Sequence, residues 1–157
     1  MMRIGFGFDT HKLETDQDFW LGGLQIPHVK GAIGHSDADV LVHAIIDALL
    51  GAAGLPDIGN QFPDTDNRWK GVDSRILLGK TMELISEKGC SIGNIDSTIV
   101  LQNPKISGYI PSMIRSLSNV MKITEDQLSI KAKTSEKLGF IGREEGISAY
   151  AVALLQK

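Results

Sequence analysis

Two segments carry the residues of this chain best suited to chemistry. Asp9 and His11, in Phe8-Asp9-Thr10-His11, stand at i and i+2. In an extended segment that spacing points both side chains to one side. His43, inside the most helix-like stretch, supplies a second imidazole. Two nitrogens and one carboxylate oxygen suit a small divalent ion and leave one coordination position open, which is the pattern of a catalytic rather than a structural zinc site. The pair alone is weak: 12 Asp and 4 His in 157 residues give roughly 0.3 Asp-x-His pairs by chance. Asp9 as a turn residue closing a strand, and His43 as an ordinary helix histidine, stay open on spacing alone.

Other segments add donors and acceptors. His35-Ser36 stand at a helix start, where Ser36 is expected to cap and where free backbone N–H groups favour an anion. Phe62-Pro63-Asp64-Thr65-Asp66 reads as a functional loop or as an Asx-type turn. Lys133-Thr134-Ser135-Glu136-Lys137-Leu138-Gly139-Phe140, just past a strand, mixes hydroxyls, a carboxylate and cations that suit a phosphate and a hard metal ion. Gly5-x-Gly7 is too short for a dinucleotide fingerprint.

The elements that must position these residues follow from period and punctuation. Residues 2–10 read as a strand leading into the Asp9/His11 pair, and Trp20–Pro27 as a hairpin around Gly22-Gly23. Residues 36–53 form the clearest helix, with Asp39 at the capping-box position and Leu41, Ala44, Ile45, Ala48 and Leu49 as its apolar stripe. Asp39, His43 and Asp47 lie on a different face. Residues 55–72 have no period, and a loop of that length is functional or disordered. A helix over Ser74–Lys88 stops at Gly89, and a strand over Ile92–Leu101 stops at Asn103-Pro104. Ile110, Met113, Leu117 and Val120 mark a third helix, Leu128–Ala132 a strand, and Ile147–Leu155 a last strand. This order predicts an α+β fold, one mixed β-sheet with helices packed on one face, in a single domain over 1–157.

Composition narrows the functions. A net charge of -3 leaves no basic excess for a nucleic-acid backbone. Cys90 is the only cysteine, so neither a disulfide framework nor a cysteine-based metal site is expected. No stretch reaches the length of a membrane span, and no targeting segment is visible. The expectation is a cytoplasmic chain, or a mature chain of a plastid-type organelle.

Taken in order, the segments resemble the family of 2-C-methyl-D-erythritol 2,4-cyclodiphosphate synthases of the non-mevalonate isoprenoid pathway. The matching elements are Arg3-Ile4-Gly5 through His11, His35-Ser36-Asp37-Ala38-Asp39-Val40 through His43, and Asp47-Ala48-Leu49-Leu50-Gly51-Ala52. They continue through Asp57-Ile58-Gly59, Phe62 to Asp66, Asp73-Ser74-Arg75, Gln102-x-Pro104-Lys105, and Lys131 to Gly142-Arg143. No single motif carries the resemblance; the succession does.

The resemblance implies a metal-dependent lyase that cyclises 4-CDP-2-C-methyl-D-erythritol 2-phosphate and releases CMP. It implies Zn²⁺, one per chain, on Asp9, His11 and His43, and a Mg²⁺ or Mn²⁺ on the substrate diphosphate with Glu136. His35 and Thr134 match catalytic positions that hold phosphates. The substrate-binding positions are Ser36 beside His35, Asp57 with Ile58 and Gly59 at the polyol hydroxyls, Phe62, Pro63, Asp64, Thr65 and Asp66 in a ligand-contacting loop, and Leu101, Gln102, Asn103, Pro104, Lys105, Ile106 and Ser107 around cytosine. Lys133 and Ser135 join them at the diphosphate, and Phe140 and Arg143 are further contacts. The resemblance further implies a homotrimer around a central channel, with active sites between chains and Phe8, Arg143 and Glu145 near a channel able to hold an isoprenoid diphosphate. Thr10, Phe6 and Tyr150 depart from the usual pattern. Two other readings stay open: a zinc phosphohydrolase, and a trimeric protein that senses isoprenoid diphosphates without turnover.

Overall fold

In the computed structural model, which describes residues 1–157, the alternation of the N-terminal segment runs well past residue 10. Strand β1 spans Met2–Thr15, so Asp9 and His11 lie within a strand and not at its end. The extension is held by pairing: His11 and Lys12 face Ile147 and Gly146, while Leu13, Glu14 and Thr15 face Ala32, Gly31 and Lys30. That last partner, β4 (Lys30–Ala32), is too short to show a period and was not predicted. Before it come β2 (Trp20–Leu21) and β3 (Leu24–Gln25), the hairpin expected at Gly22-Gly23.

After these strands the chain runs α1 (Val40–Ala53), α2 (Ile58–Gln61), α3 (Ser74–Glu87), β5 (Ser91–Val100) and α4 (Ile110–Met121). It ends with β6 (Leu128–Lys133), α5 (Gly139–Gly142) and β7 (Gly146–Gln156). The sheet order is β4-β1-β7-β5-β6, antiparallel except for the parallel β5/β6 pair. The last segment is a strand, and its two faces differ. Ile147, Ala149, Ala151, Ala153 and Leu155 are buried in the core, whereas Tyr150 and Val152 are exposed. Residues 55–72 are not one loop either. They contain α2 and a 3₁₀ turn over Asn67–Trp69, each started by an aspartate side chain.

Helix α1 is the centre of the packing. Val40, Leu41, Val42, Ala44, Ile45, Ile46, Ala48, Leu49, Leu50 and Ala52 are all buried, a wider apolar surface than the predicted stripe because the sheet covers one side and α3 the other. Its first N–H groups are not capped by Ser36. Asp39 is the N-cap, accepting from Val42 N–H at 3.1 Å and from Gly22 and Gly23 N–H at 3.0 and 2.7 Å. An acid buried there needs all three donors, and in return ties the hairpin to the helix. No helix start lies at His35-Ser36 to favour an anion, since the helix begins four residues later and the Asp39 carboxylate caps it.

Gly5 and Gly7 explain how α1 reaches the sheet. A Cβ on Gly5 would lie 1.9 Å from the Ala48 carbonyl oxygen, and one on Gly7 1.8 Å from that of Ala44. Only a strand without side chains there, under a helix face of alanines, allows so close a seat. Replacing Gly7 by alanine must push α1 off β1. The expected loss is about 1–3 kcal/mol, read as a Tm lowered by roughly 2–4 °C per kcal/mol. The same shift would displace the turn that carries His43. A Gly7→Ala protein with unchanged Tm would refute this account.

Candidate metal centre

The inward residues of β1 are the odd-numbered ones, and beyond Gly5 and Gly7 they are Asp9 and His11. His43 stands one residue before Ala44, the residue seated on Gly7. The three ligand atoms meet: His11 Nε2 is 2.8 Å and His43 Nδ1 3.0 Å from Asp9 Oδ2, and the two nitrogens are 3.3 Å apart. Donors bound tetrahedrally at 2.0–2.1 Å lie about 3.3 Å from one another, so the spacing suits a small cation with little movement. The side chains of Asp9, His11 and His43 remain 27, 16 and 12% exposed, which leaves an approach open on one side. His11 is oriented by its Nδ1–H, which donates to the Ile33 carbonyl at 2.9 Å. Gly34 makes room for that ring, since a Cβ there would be 2.9 Å from His11 Cε1.

Electrostatics agree with the geometry. Burial opposes ionisation of Asp9, but its bonds to His11 and His43 and their charge outweigh it and hold the carboxyl at about 2. Burial likewise opposes a charged His11, and the bond to Asp9 with its negative charge overcomes that, so its pKa is raised. The site is a place where positive charge is favoured.

His11 and His43 open into a cavity of about 280 Å³ shared with His35, Ser36, Ile58, Gly59, Phe62 and Asp64. Eight of the predicted positions are thus gathered in one place, with Asp9 behind them. Trp69 and Leu77, which were not predicted, complete the lining. Phe62 and Trp69 meet edge to face at 5.3 Å, and the size of both residues within a polar segment was the available signal. Asp57 caps α2, accepting from Asn60 N–H at 2.9 Å. Asp66 is held by Arg68 at 2.6 Å and accepts its backbone N–H at 3.0 Å. Pro63 and Thr65 lie between, half-buried and exposed.

The other predicted positions are elsewhere. Asp9, Ala149, Ile99 and Ala132 are at one level across β1, β7, β5 and β6. Three strand spacings, roughly 14 Å, therefore separate the metal ligands from the end of β6, where Lys133 is followed by Thr134, Ser135 and Glu136. Here Thr134 Oγ1 accepts from Glu136 N–H at 3.2 Å, and Gln102 Oε1 from Lys137 N–H at 3.1 Å. Leu101 N–H donates to the Lys133 carbonyl at 2.9 Å, so the segments 101–107 and 133–137 form one second cluster. Within it Leu101 and Ile106 belong to the core, while Asn103, Lys105 and Ser107 are exposed and Pro104 is half-buried. Glu136 is exposed and is not among the grouped metal-ligand side chains. Phe140 lines a separate cavity with Lys12, Lys30 and Glu145, and Arg143 pairs with Glu145.

The sequence model of the YgbB family matches residues 2–156. The chain belongs to the YgbB family. Its relatives include a Bacteroides fragilis protein named 2-C-methyl-D-erythritol 2,4-cyclodiphosphate synthase, 58% identical over 99% of this chain and 98% of its own length. A Porphyromonas gingivalis protein of the same name is 58% identical over 98% of this chain and 94% of its own. Among solved structures, IspF of Plasmodium falciparum in a CDP complex superposes with a TM-score of 0.87 at 39% identity, over 98% of this chain and 95% of that one. The bifunctional IspDF of Campylobacter jejuni superposes at 0.94, with 39% identity over 99% of this chain but 42% of its own length.

Any divalent ion that this triad takes up should bind with a pH dependence of defined direction, and zinc is the probe. Because Asp9 raises the pKa of His11, protons compete for Nε2 at pH values above the ordinary histidine value near 6.5. Affinity should fall as pH drops from about 8, with proton release on binding near neutrality. Calorimetry of zinc binding in buffers of different ionisation enthalpy measures that release; affinity constant from pH 8 to 6 would show that His11 is not a ligand.

Proposed function

We propose that the whole chain is one cyclodiphosphate synthase domain, acting on 4-CDP-2-C-methyl-D-erythritol 2-phosphate to give 2-C-methyl-D-erythritol 2,4-cyclodiphosphate and CMP. The convergence of Asp9 Oδ2, His11 Nε2 and His43 Nδ1 at the mouth of a cavity lined by predicted substrate positions carries the reading, and the names of the relatives agree with it. An oxygen of the 2-phosphate attacks the β-phosphorus, and the bond from that phosphorus to the bridging oxygen breaks, so CMP leaves with the oxygen. The substrate supplies the nucleophile, and the protein contributes position and charge. A zinc ion on Asp9, His11 and His43 would act as a Lewis acid toward phosphate oxygen. His35 and Thr134 hold phosphate oxygens. Ser36, Asp57 and Gly59 orient the polyol, and segments 101–107 and 133–136 hold cytosine and diphosphate, Glu136 with a Mg²⁺ or Mn²⁺.

Two half-sites some 14 Å apart on one sheet cannot both touch one diphosphate-linked substrate at its reacting end. A cyclic assembly, in which the β6 end of one chain meets the β1 side of the next, would join them. The exposed face of the sheet favours such contact. Ile4, Phe6, Phe8, Tyr150 and Val152 are 41–74% exposed there, and Phe8 and Tyr150 touch at 5.1 Å between ring centres. An apolar patch of that kind marks an interface. We therefore read the chain as a homotrimer, the Phe8–Tyr150 pair lying toward a central channel where an isoprenoid diphosphate could be held.

The test is CMP release with product analysis. Zinc-loaded protein should form the cyclic diphosphate, and His43→Ala should lose both zinc and turnover while remaining folded; a ring-opened bisphosphate as sole product would instead indicate a phosphohydrolase. Light scattering should give the mass of three chains. His43→Ala and Glu136→Ala, each inactive alone, should regain activity on mixing and reassembly, because about a quarter of the sites then combine two intact halves. A fully active monomer, or no recovery in mixed assemblies, would contradict sites between chains.

A further inference from the structure

His43 faces two ways. Its Nδ1 lies 3.0 Å from Asp9 Oδ2 and 3.3 Å from His11 Nε2. Its Nε2 meets Ser74 Oγ at 2.9 Å and Ser36 Oγ at 3.0 Å. Which nitrogen carries the proton follows from the far end of this chain of bonds. Ser74 Oγ is bonded to Asp37 Oδ1, and Ser74 N–H donates to Asp37 Oδ2 at 2.8 Å. A carboxylate only accepts, so the Ser74 hydroxyl proton is committed to Asp37 and its oxygen is left as an acceptor. His43 Nε2 must then be the donor, which leaves Nδ1, whose proton Asp9 accepts in the metal-free chain, as the nitrogen that can give its lone pair to an ion.

We propose that Asp37 and Ser74 are positioning residues for the metal. Acting through His43, they hold its ring as the Nε2–H tautomer and aim the Nδ1 lone pair at the ion. The inference rests on the metal reading above and names the residues that make the site binding-competent. Ser74 has no competing duty. It is fully buried, and the helix it begins is capped by Asp73, which accepts from Arg75 N–H at 2.9 Å. Asp37 is fixed in turn by Asp39 N–H at 3.0 Å. His11 needs no relay, because the Ile33 carbonyl cannot reverse its role. His43 depends on an hydroxyl, which can turn round, and Asp37 is what stops it.

The experiment uses the full chain and zinc alone. In Asp37→Asn the new amide donates to Ser74 Oγ, freeing the hydroxyl proton to point at His43 Nε2 and favouring a proton on Nδ1. Ser74→Ala removes the relay and leaves Ser36. Chelator competition should show zinc bound roughly 10- to 100-fold more weakly in both variants, the usual range for such outer partners. Nitrogen-15 NMR of the zinc-loaded wild-type chain at pH 8 should show His43 bound through Nδ1 with its proton held on Nε2, and Asp37→Asn should weaken and shift that Nε2–H signal. A zinc-loaded wild-type His43 without a proton on Nε2 overturns the proposal without any variant having to fold. Unchanged zinc affinity in both variants also overturns it. A wild-type chain that takes up no more zinc than His43→Ala fails the metal reading itself, a result that unchanged variants beside a zinc-binding wild type would not give.

Discussion

Everything at the site depends on how closely α1 sits on β1. A helix carrying leucines against a strand carrying valines would stand further off, and His43 would not reach Asp9 and His11. Here both sides of the contact are small. Gly5 and Gly7 face Ala44, Ala48 and Ala52, with the helix carbonyls almost on the strand. The same register that places Gly7 under Ala44 places Asp9, the next inward residue, beside His43. Ligand spacing is thus a consequence of packing, and packing is among the least forgiving features of a protein interior.

That dependence also marks how far the sequence could be read. The ligand triad was legible, since i, i+2 on a strand and one imidazole on a helix are local patterns that need only be brought together. So were α1, α3, α4 and the alternation of β1 and β7. The role of Gly5-x-Gly7 was not, because a close backbone approach leaves no mark on either element taken alone. Capping at residue 36 was misread for a similar reason. Ser36 and Asp39 are both good caps, and the choice was made by Gly22 and Gly23, whose N–H groups arrive from a distant hairpin. Ser74 and Asp37 lay among the matching segments without a role, since a relay between a loop and the first turn of another helix is visible only in three dimensions.

Sheet geometry sets what one chain can do. The metal ligands and the residues after β6 share a level but not an edge, and no side chain spans three strands. On the proposed reading the chain solves this by repetition and not by folding back, and the apolar outer face of β1 and β7 becomes the surface that copies share. The alternation of β7 serves both needs at once: odd-numbered residues enter the core, and Tyr150 and Val152 face outward.

On the proposed reading an acidic chain handles a highly anionic substrate, and the charge of its own carboxylates is met locally. Several carboxylates around the cavity are engaged, while Asp64 of its lining stays exposed. Bonds from the Asn60 side chain and backbone hold Asp57 below the usual carboxylate range. The Arg68 guanidinium does so for Asp66, and that of Arg75 for Asp73. Asp39 is surrounded by three backbone donors, and Asp9 by two imidazoles. Each negative charge is thus bound to an N–H group or a cation that also starts a helix, closes a turn or orients a ligand. Net charge counts all these carboxylates equally, and so hides that most of them are already paired within the protein.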